Sequence, residues 1–339
     1  MKSTLINGLL NISSKIDLYR AMRFVAPNLL TVLNYHRIDD PYAPEFHTLR
    51  INVSATQEDF AQQMDFVGKN YNVVNCKRLV SFINGETELP PNAALITFDD
   101  GYLDNYTNAY PVLVERGLPA IIFLTSGFIG TNKPFYWDYI SYCFYKTAKN
   151  GANLPLIGTQ NWDDVASRER VLLQWIEALK RIPEVQKSEY VSQIAELLEV
   201  NVPESAFEKL ILNWDQVRVM SRSGLIEFGV HSVNHPILTR VPINEASREI
   251  CESKRKIEEE TGHTVNAIAY PNGGVADFSQ PVIQASKEAG LDVAFSHIPG
   301  PTRYSTVKKE PFSIRRIFLA HYDTFPRFVA KISGLSRFQ

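Results

Sequence analysis

Short runs of apolar residues, each bounded by turn residues, recur along most of the chain and alternate with segments of helical periodicity. Several of these runs are apolar on both faces, which is typical of parallel strands covered by helices. The pattern predicts strands over residues 29–35, 93–98, 120–124, 225–230, 265–270, 293–296 and 314–319. It predicts helices over residues 54–69, 105–115, 243–261 and 278–289. This alternation indicates either an α/β barrel or a doubly wound sheet.

Residues 138–213 interrupt this alternation. They contain no convincing strand pattern, but they show helical periodicity over residues 165–181 and 189–198. We therefore expect a helical insertion between two strands of the main domain. Such an insertion either caps a substrate cleft or covers the outside of the domain.

Both ends of the chain are expected to lie outside the main domain, which spans residues 29–325. Residues 1–28 are expected to form an N-terminal helical extension, because residues 16–28 carry a basic amphipathic pattern. Such a helix either lies on a membrane surface or packs on its own domain. Residues 326–339 are expected to form a C-terminal tail.

Composition excludes several classes of protein. The chain has 339 residues, of which 45% are hydrophobic and 21% are charged, as in ordinary globular proteins. A net charge of −2 gives no general attraction to nucleic acid. The three scattered cysteines form no CxxC pair, so neither a disulfide framework nor a cysteine zinc site is expected.

No apolar run approaches the ~20 residues of a membrane span. The first residues lack the apolar core of a secretory signal, so we expect a cytoplasmic location.

Two adjacent carboxylates, Asp99 and Asp100, directly follow the predicted strand over residues 93–98. The carboxyl ends of parallel strands are where catalytic groups collect in α/β folds. Two carboxylates beside a buried strand repel each other unless a cation or another partner offsets the repulsion. The alternative is a solvated turn that precedes a helix.

Two histidines four residues apart, His231 and His235, follow the predicted strand over residues 225–230. Neutral imidazoles at this spacing can bind a single divalent metal, and Pro236 favours a tight loop at His235 over a helix. A lone HxxxH pattern occurs often by chance. Together with an aspartate it makes a three-ligand set with open positions, which is the pattern of a catalytic metal site.

A third polar loop, Tyr270-Pro271-Asn272-Gly273-Gly274, follows the predicted strand over residues 265–270. Proline fixes its own φ, and the two glycines permit conformations that direct backbone N–H groups at a ligand. Taken alone, the segment is more typical of a plain β-turn.

The motifs TFDDGY, HSVNH and YPNGG, in this order and at this wide spacing, resemble the polysaccharide deacetylases of carbohydrate esterase family 4, the NodB-homology family. Residues 33–37 (LNYHR) resemble the opening strand of the exopolysaccharide branch of that family. The resemblance covers about residues 29–130 and 210–325. It implies a distorted (β/α)7 barrel with a helical insertion, rather than an open sheet.

The resemblance also implies a role for individual residues. Asp100, His231 and His235 match the ligands of one divalent metal ion, usually Zn²⁺, with Co²⁺ or Ni²⁺ as alternatives. Asp99 matches the catalytic base. The backbone N–H of Asn272 matches the second oxyanion donor. In this reaction an activated water attacks an acetamide carbonyl and releases acetate and a free amine.

Two positions depart from the family pattern. Many relatives carry an arginine two residues before the motif proline, where it orients the base, whereas this chain has Ala269. The family often supplies its general acid from an L-x-H motif. Leu319-Ala320-His321 fits these letters, so His321 is the candidate acid, although its surroundings resemble branch members that lack such a histidine.

The remaining polar candidates have weaker signals. His36, at the end of the first strand, either contacts the substrate or is a hydrogen-bonded structural residue. We group it with Tyr270 and Asn272 as candidate substrate-binding residues. No motif surrounds His297, for which a structural or surface role is expected.

We therefore expect a metal-dependent hydrolase that removes N-acetyl groups from amino sugars of a polysaccharide or glycan precursor. Its partner would be an N-acetylated glycan or a lipid-linked sugar, with peripheral contact to the inner membrane. The alternatives are a deformylase or another non-peptide C–N hydrolase on the same site, or a catalytically silent glycan-binding module. The sequence does not indicate an oligomeric state.

Overall fold

The computed structural model describes residues 28–334, so all but the last residue of the predicted extension over residues 1–28, and residues 335–339 of the predicted tail, lie outside the described residues. The strands are β1 (Leu29–Tyr35), β2 (Arg37–Ile38), β3 (Val53–Ala55), β4 (Asn72–Val73), β5 (Ala93–Phe98), β6 (Ala120–Leu124), β7 (Gly151–Leu154), β8 (Gly158–Asn161), β9 (Ile226–Val230), β10 (Ala267–Ala269), β11 (Val293–Pro299), β12 (Thr302–Arg303) and β13 (Ile314–Phe318). The α-helices are α1 (Gln57–Asn70), α2 (Cys76–Ile83), α3 (Tyr110–Arg116), α4 (Tyr136–Lys146), α5 (Val165–Leu179), α6 (Glu184–Leu197), α7 (Trp214–Arg222), α8 (Ile243–Thr261), α9 (Gln280–Glu288), α10 (Tyr304–Lys309) and α11 (Phe325–Ile332).

Seven parallel strands close into a barrel in the order β1-β13-β11-β10-β9-β6-β5, because β1 pairs with both β13 and β5. The short strand β4 adds to β5 on the outside, and β12 runs antiparallel to β1. All seven barrel strands overlap the strands predicted from the apolar runs. The prediction of an α/β fold with a seven-stranded barrel is confirmed.

The barrel interior is packed with side chains. Every residue of β5 is buried, since one face of the strand points into the barrel and the other lies under helices. Phe123 and Phe295 meet inside the barrel, with ring centroids 5.4 Å apart. The same buried cluster continues to α2, whose Leu79 and Phe82 cover one end of the barrel. The barrel is therefore a core and not a pore, and a site has to lie at its rim.

Local signals explain most of the helix boundaries. α8 has the predicted bounds and ends at Gly262, which has a φ of 70°. α1 begins later than predicted, because Thr56 caps its first turn by accepting a hydrogen bond from the Asp59 N–H. The predicted helix over residues 105–115 consists of a π-helix (Asn105–Ala109) that leads into α3.

The insertion contains a β-hairpin as well as helices. The prediction of no strand in residues 138–213 is wrong, since β7 and β8 pair antiparallel from Gly151↔Asn161 to Leu154↔Gly158. These strands have four residues each and are largely exposed, so they carry no apolar alternation that a pattern search could detect. The predicted helices are present as α5 and α6, and α6 begins earlier than predicted.

The C-terminal residues include a packed helix. α11 lies within the predicted tail over residues 326–339 and buries Phe328, Val329 and Ile332. Phe328 packs against Phe66 of α1, with ring centroids 6.2 Å apart. The described part of this segment therefore belongs to the helical layer around the barrel. None of the helices in residues 28–334 has the length and apolar character that a bilayer-spanning helix needs.

Candidate active site

A cavity of about 420 Å³ opens at the carboxyl ends of the barrel strands, and we call it the rim cavity. It contains seven of the eight residues predicted from the sequence, and His297 in addition. The polar residues that line it and that matter below are His36, Asp99, Asp100, His231, His235, Tyr270, Asn272 and His297. The loops that follow β1, β5, β9 and β10 deliver the predicted residues, as expected for a parallel barrel.

Asp100, His231 and His235 form a compact cluster of possible metal ligands. The Nε2 atoms of His231 and His235 lie 3.4 Å and 3.5 Å from Asp100 Oδ1, and 3.2 Å from each other. All three side chains are buried. Neither carboxylate oxygen of Asp100 has a hydrogen-bond partner within the described residues. A buried carboxylate without partners is costly, so this cluster fits a bound cation.

Backbone conformations that are rare for residues other than glycine place these groups. Asp100, His235 and Asn272 have φ values of 75°, 59° and 62°. Such left-handed conformations concentrate at functional sites, where the surrounding structure holds them. The next residue, Gly101, has a φ of 86°, and a Cβ there would lie 2.8 Å from Ile129 Cδ1. The turn after β5 therefore requires glycine at position 101.

A hydrogen bond orients the His231 ring, whereas a backbone hydrogen bond and ring packing hold His235. His231 Nδ1–H donates to the Ala269 carbonyl at 2.7 Å, which leaves the Nε2 lone pair directed at the cluster. The His235 backbone N–H donates to Ser232 Oγ at 2.9 Å. Trp137 packs edge-on against the His235 ring, with centroids 4.8 Å apart. The two rings thus have little freedom to leave the cluster.

Trp137 is held in turn by a buried polar chain. Its Nε1–H donates to the Tyr102 hydroxyl at 2.8 Å, and that hydroxyl donates to Asp138 Oδ2 at 2.8 Å. The Leu49 N–H donates to Asp138 Oδ1 at 3.1 Å. Burial raises the pKa of Asp138 to about 6, although Arg37 acts in the opposite direction. The first turn of α4, where the insertion begins, therefore forms one wall of the cluster of possible metal ligands.

Glu249 of α8 fixes the loop between the two histidines. Its Oε2 accepts from the backbone N–H groups of Val233 and Asn234, both at 2.8 Å, and its Oε1 accepts from Asn234 Nδ2 at 2.7 Å. The carboxylate is buried and receives three hydrogen bonds, so it is fully satisfied without a cation. Groups of this kind orient metal ligands from outside the coordination shell.

The charges around the cluster favour a neutral His235. Burial and the neighbouring His231 lower the pKa of His235 to about 3, so its ring keeps a lone pair for a metal near neutral pH. Burial also acts on His231, but Asp99 and Asp100 outweigh it and raise the pKa of His231. The two rings differ because only His231 lies close to both carboxylates.

Asp99 has the opposite environment to Asp100. Its two oxygens accept hydrogen bonds from Arg316 Nη1 and Nη2 at 2.7 Å and 2.8 Å, and Asn34 Nδ2 donates to Oδ2 at 3.3 Å. Burial favours the protonated form, but the Arg316 guanidinium outweighs it and holds the pKa of Asp99 well below its usual range. Asp99 is therefore ionised. The sequence analysis missed Arg316, whose only signal was a charged residue within an apolar strand.

Two histidines complete the wall of the rim cavity beside Asp99. His36 Nε2 lies 3.8 Å from Asp99 Oδ2, and the His36 ring packs near His297 with centroids 6.2 Å apart. Burial lowers the pKa of His36, and burial with Arg316 lowers that of His297 to about 3. His36 Nδ1 and His297 Nε2 have no hydrogen-bond partner within residues 28–334. Both rings are neutral and can bond to a ligand.

The loop after β10 presents a free backbone donor. The N–H of Asn272 donates no hydrogen bond within the described residues, while the next N–H, that of Gly273, donates to the Pro271 carbonyl at 2.8 Å. Tyr270 contributes to the cavity wall, but its hydroxyl donates to the Phe312 carbonyl at 3.1 Å and its ring stacks on Phe278. Tyr270 therefore supports the loop rather than offering its hydroxyl to a ligand.

His321 is the one predicted site residue that does not line the rim cavity. Its backbone N–H donates to the Val53 carbonyl at 2.9 Å, which ties the segment after β13 to β3. Its ring lies 3.3 Å from the Val53 carbonyl and 3.4 Å from the Tyr42 hydroxyl. The described contacts of His321 therefore give no geometric support to its role as the general acid, which stays a prediction from the L-x-H motif.

Comparison with known proteins agrees with this geometry. A family model described as polysaccharide deacetylase matches residues 86–294. The chain is 33% identical over 105 residues to the Bacillus subtilis protein named "Putative polysaccharide deacetylase YxkH", which covers 31% of this chain and 34% of that protein. It is 29% identical over 94 residues to the poly-beta-1,6-N-acetyl-D-glucosamine N-deacetylase of Escherichia coli K12, which covers 28% of this chain and 13% of that protein.

The matched segment thus spans about a third or less of the length of these curated relatives. Among solved structures, the Streptococcus pyogenes deacetylase PplD in complex with acetate superposes with a TM-score of 0.59 at 15% identity. The superposition covers 91% of this chain and 99% of that chain. At this level of identity the likeness concerns the fold alone.

Proposed function

The chain belongs to the polysaccharide deacetylase family, and we propose that it is a metal-dependent hydrolase that removes N-acetyl groups from amino sugars of a polysaccharide or glycan precursor. The observation that carries this proposal is the rim cavity itself. It presents an ionised carboxylate, Asp99, beside a buried carboxylate, Asp100, that has no hydrogen-bond partner within residues 28–334 but faces two imidazole nitrogens. Hydrolysis of an amide needs both a base and an electrophile, and this arrangement can supply both.

Asp100, His231 and His235 are the residues that would hold the cation. One carboxylate and two imidazoles suit Zn²⁺, with Co²⁺ or Ni²⁺ as alternatives. A bound divalent ion supplies an acidified water, with a pKa near ~7, and polarises the substrate carbonyl. The three protein ligands leave coordination positions open for both tasks.

Asp99 is the base in this proposal. Its carboxylate is ionised and adjoins the cluster in sequence, so it can take a proton from the water that attacks the acetyl carbonyl. Two hydrogen bonds from Arg316 fix the orientation of the carboxylate, so little rearrangement is needed when the proton arrives. General base catalysis of this kind is typically worth about 10²–10⁴-fold in rate.

The free N–H of Asn272 is placed to stabilise the oxyanion. Its left-handed backbone conformation directs this donor away from the internal hydrogen bonds of the loop. One preorganised oxyanion donor typically lowers a barrier by roughly 3–4 kcal/mol. Because the donor belongs to the backbone, its function does not depend on the side chain at position 272.

The amine that leaves when the C–N bond breaks needs a proton. Asp99 carries the proton that it took from the attacking water, and a carboxyl group whose pKa is held low gives up that proton readily. His36 and His297 are neutral because burial lowers their pKa values, so they serve as hydrogen-bond partners for the sugar and not as the acid. The overall reaction consumes one water and yields acetate and the free amino sugar.

Metal content and acetate release together test this proposal. We expect one divalent ion per chain, and release of acetate from β-1,4- and β-1,6-linked N-acetylglucosamine oligomers by the wild-type protein but not by Asp99→Asn. Release of formate from N-formyl sugars, without acetate, would instead favour a deformylase. Absence of a bound ion after reconstitution with Zn²⁺, Co²⁺ or Ni²⁺ would favour a silent glycan-binding module.

The setting of the reaction is a separate part of the proposal. We propose a cytoplasmic location and a substrate that includes lipid-linked sugars at the inner membrane face. Fractionation of cells tests this, and recovery of the protein outside the cell would refute it. Neither outcome bears on the chemistry of the rim cavity.

A further inference from the structure

Arg316 is a charged side chain enclosed by the barrel. It lies on β13 between buried apolar residues, Ile314 and Ile317, and only 1% of its surface is exposed. A guanidinium at such a place is costly unless its charge is paired and its N–H groups are bonded. Its contacts therefore say what it is for.

All three nitrogens of the guanidinium donate hydrogen bonds, and its plane contacts an aromatic ring. Nη1 and Nη2 donate to the two oxygens of Asp99 at 2.7 Å and 2.8 Å, and Nε donates to the Ser296 carbonyl at 3.1 Å. The plane of the group lies over Phe123, with 5.8 Å from Cζ to the ring centroid. The Ser296 carbonyl and Phe123 fix the guanidinium, and the guanidinium in turn fixes the Asp99 carboxylate.

Position 269 is where the resemblance to the family expects an arginine that orients the base. In this chain Ala269 is fully buried on β10 and belongs to the same interior cluster as Phe123. The small side chain leaves the barrel interior at β10 without any charged group. The contact with Asp99 comes instead from β13, two strands farther along the sheet.

We propose that Arg316 is the positioning residue for Asp99, supplied from β13 in place of the residue at position 269. The proposal rests on the proposed function, in which Asp99 is the base. Arg316 holds the carboxylate plane with two parallel hydrogen bonds, a geometry that lysine cannot reproduce because its ammonium is a single point of charge. Arg316 itself touches neither substrate nor metal ligands.

Arg316→Lys is the first test, because it keeps the buried positive charge and removes the pair of parallel hydrogen bonds to Asp99. We expect the variant to fold and to bind one metal ion, with KM near that of the wild type and kcat lower by about 100-fold, as for a misplaced catalytic group. A wild-type kcat would overturn the proposal. Loss of the metal ion would do so too, because Arg316 would then act on the ligands and not on Asp99.

Arg37→Lys is the matched control. Arg37 is also a buried arginine in an ion pair, with Nε 2.7 Å from Asp104 Oδ2, but it does not line the rim cavity. We expect this variant to lose stability without a change in kcat. An equal fall of kcat in both lysine variants would mean that any buried ion pair of the barrel has this effect, and it would overturn the specific role of Arg316.

Methylguanidinium provides a test that does not require turnover. In Arg316→Ala the vacated space faces an unpaired Asp99, so we expect methylguanidinium at millimolar concentration to raise the melting temperature of this variant, and methylammonium to have no such effect. The double variant Arg316→Ala/Asp99→Asn should not respond. Equal responses of the single and double variants would overturn the proposal.

The same variant links positioning to rate. We expect methylguanidinium to restore acetate release by Arg316→Ala in a saturable way, and to have no effect on Arg316→Lys. If the wild-type protein releases no acetate, the proposed function fails while the melting experiment still reports whether Arg316 holds Asp99. Thermal rescue without kinetic rescue would show a purely structural ion pair and overturn the positioning role.

Discussion

Asp99 and Asp100 are neighbours in the chain and are both buried, yet the structure surrounds them with opposite chemistry. Both oxygens of Asp99 accept hydrogen bonds from Arg316. Neither oxygen of Asp100 has a hydrogen-bond partner within residues 28–334, although two histidine nitrogens lie within 3.5 Å of Oδ1. The two residues also differ in backbone conformation, since Asp100 adopts a φ of 75°.

The end of one barrel strand, β5, therefore carries two carboxylates in chemically different surroundings. The Asp99 half of the site is complete as protein, because its charge is balanced and its hydrogen bonds are made. The Asp100 half is incomplete as protein, because a buried carboxylate without partners is unfavourable until a cation arrives. The Asp99 half thus needs no further partner, whereas the Asp100 half fits a bound cation.

The largest effects are expected from the matched substitutions Asp99→Asn and Asp100→Asn, one in each half of the site. Asp99→Asn should lower kcat by about 10²–10⁴-fold, because the base is lost, while metal content stays at the wild-type value. Asp100→Asn should lose both metal and activity, because a neutral amide is a poor ligand for a divalent ion. Acetate release and elemental analysis of the two variants measure this. Asp99→Asn that keeps its turnover, or that loses its metal, would contradict the division.

Asp138 is a further buried carboxylate, and unlike Asp99 it is expected to make the stability of the fold depend on pH. The pKa of Asp138 is raised to about 6 in the folded protein, so the folded state binds this proton more tightly than the unfolded state. Its contribution to stability is therefore present below about pH 4 and is lost as the pH rises toward 6, by an amount on the order of 3 kcal/mol.

Asp138→Asn should remove this part of the pH dependence, because an amide has no proton to lose over this range. Urea unfolding of the variant and the wild type at pH 4, 5, 6 and 7 measures the difference. Asp215→Asn is the control, since the side chain of Asp215 is 86% exposed. A difference between Asp138→Asn and the wild type that does not change with pH would refute the burial of an ionisable group at this position.

Glu249 is expected to have a smaller effect, confined to the metal half. Glu249→Ala leaves the N–H groups of Val233 and Asn234 without their acceptor, so the loop between the histidines loosens. We expect metal affinity to fall by about 10–100-fold, as is typical for groups that orient ligands. Glu249→Gln keeps one acceptor oxygen, so its metal affinity should lie between that of Glu249→Ala and that of the wild type. Competition with a chromophoric chelator measures the affinity, and equal affinities of all three proteins would refute the role.

The smallest expected effect is at His321. His321→Ala should leave kcat/KM within about twofold of the wild type, because the ring does not line the rim cavity and its contacts are with Val53, Tyr42 and Tyr322. The kinetics of acetate release measure this. A loss of 100-fold or more would return His321 to the role that its L-x-H motif suggested.

Much of the fold was predictable because the barrel strands carry a strong local signal. Strands buried on both faces, such as β5 and β6, must be apolar throughout, and this is visible in sequence. The hairpin of β7 and β8 was missed because short exposed strands leave no such pattern. The placement of Asp99, Asp100, His231 and His235 at one rim was predictable, because Asp99 and His231 directly follow apolar strands, the other two lie within four residues of them, and the carboxyl ends of parallel strands meet there.

The partners of these residues were not predictable in the same way. Arg316 is 217 positions away from Asp99, and nothing in its immediate sequence distinguishes it from the neighbouring Arg315. Strand alternation decides between them, since Arg316 is buried while Arg315 is exposed. His297 and Asn272 share the rim cavity because β10 and β11 are neighbours in the sheet, which is a fact of topology.

The sequence by itself determined the alternation of strands and helices, the residues that end the barrel strands and the chemical types of the candidate ligands and base. These depend on local periodicity and on motifs of a few residues. The tertiary structure alone decided that Arg316 and not residue 269 contacts Asp99, that the Asp100 oxygens have no hydrogen-bond partner within residues 28–334, and that His321 does not line the rim cavity. The physical reason is that hydrogen bonds and charge pairing depend on distances of a few ångströms between side chains, and only the closed barrel sets those distances.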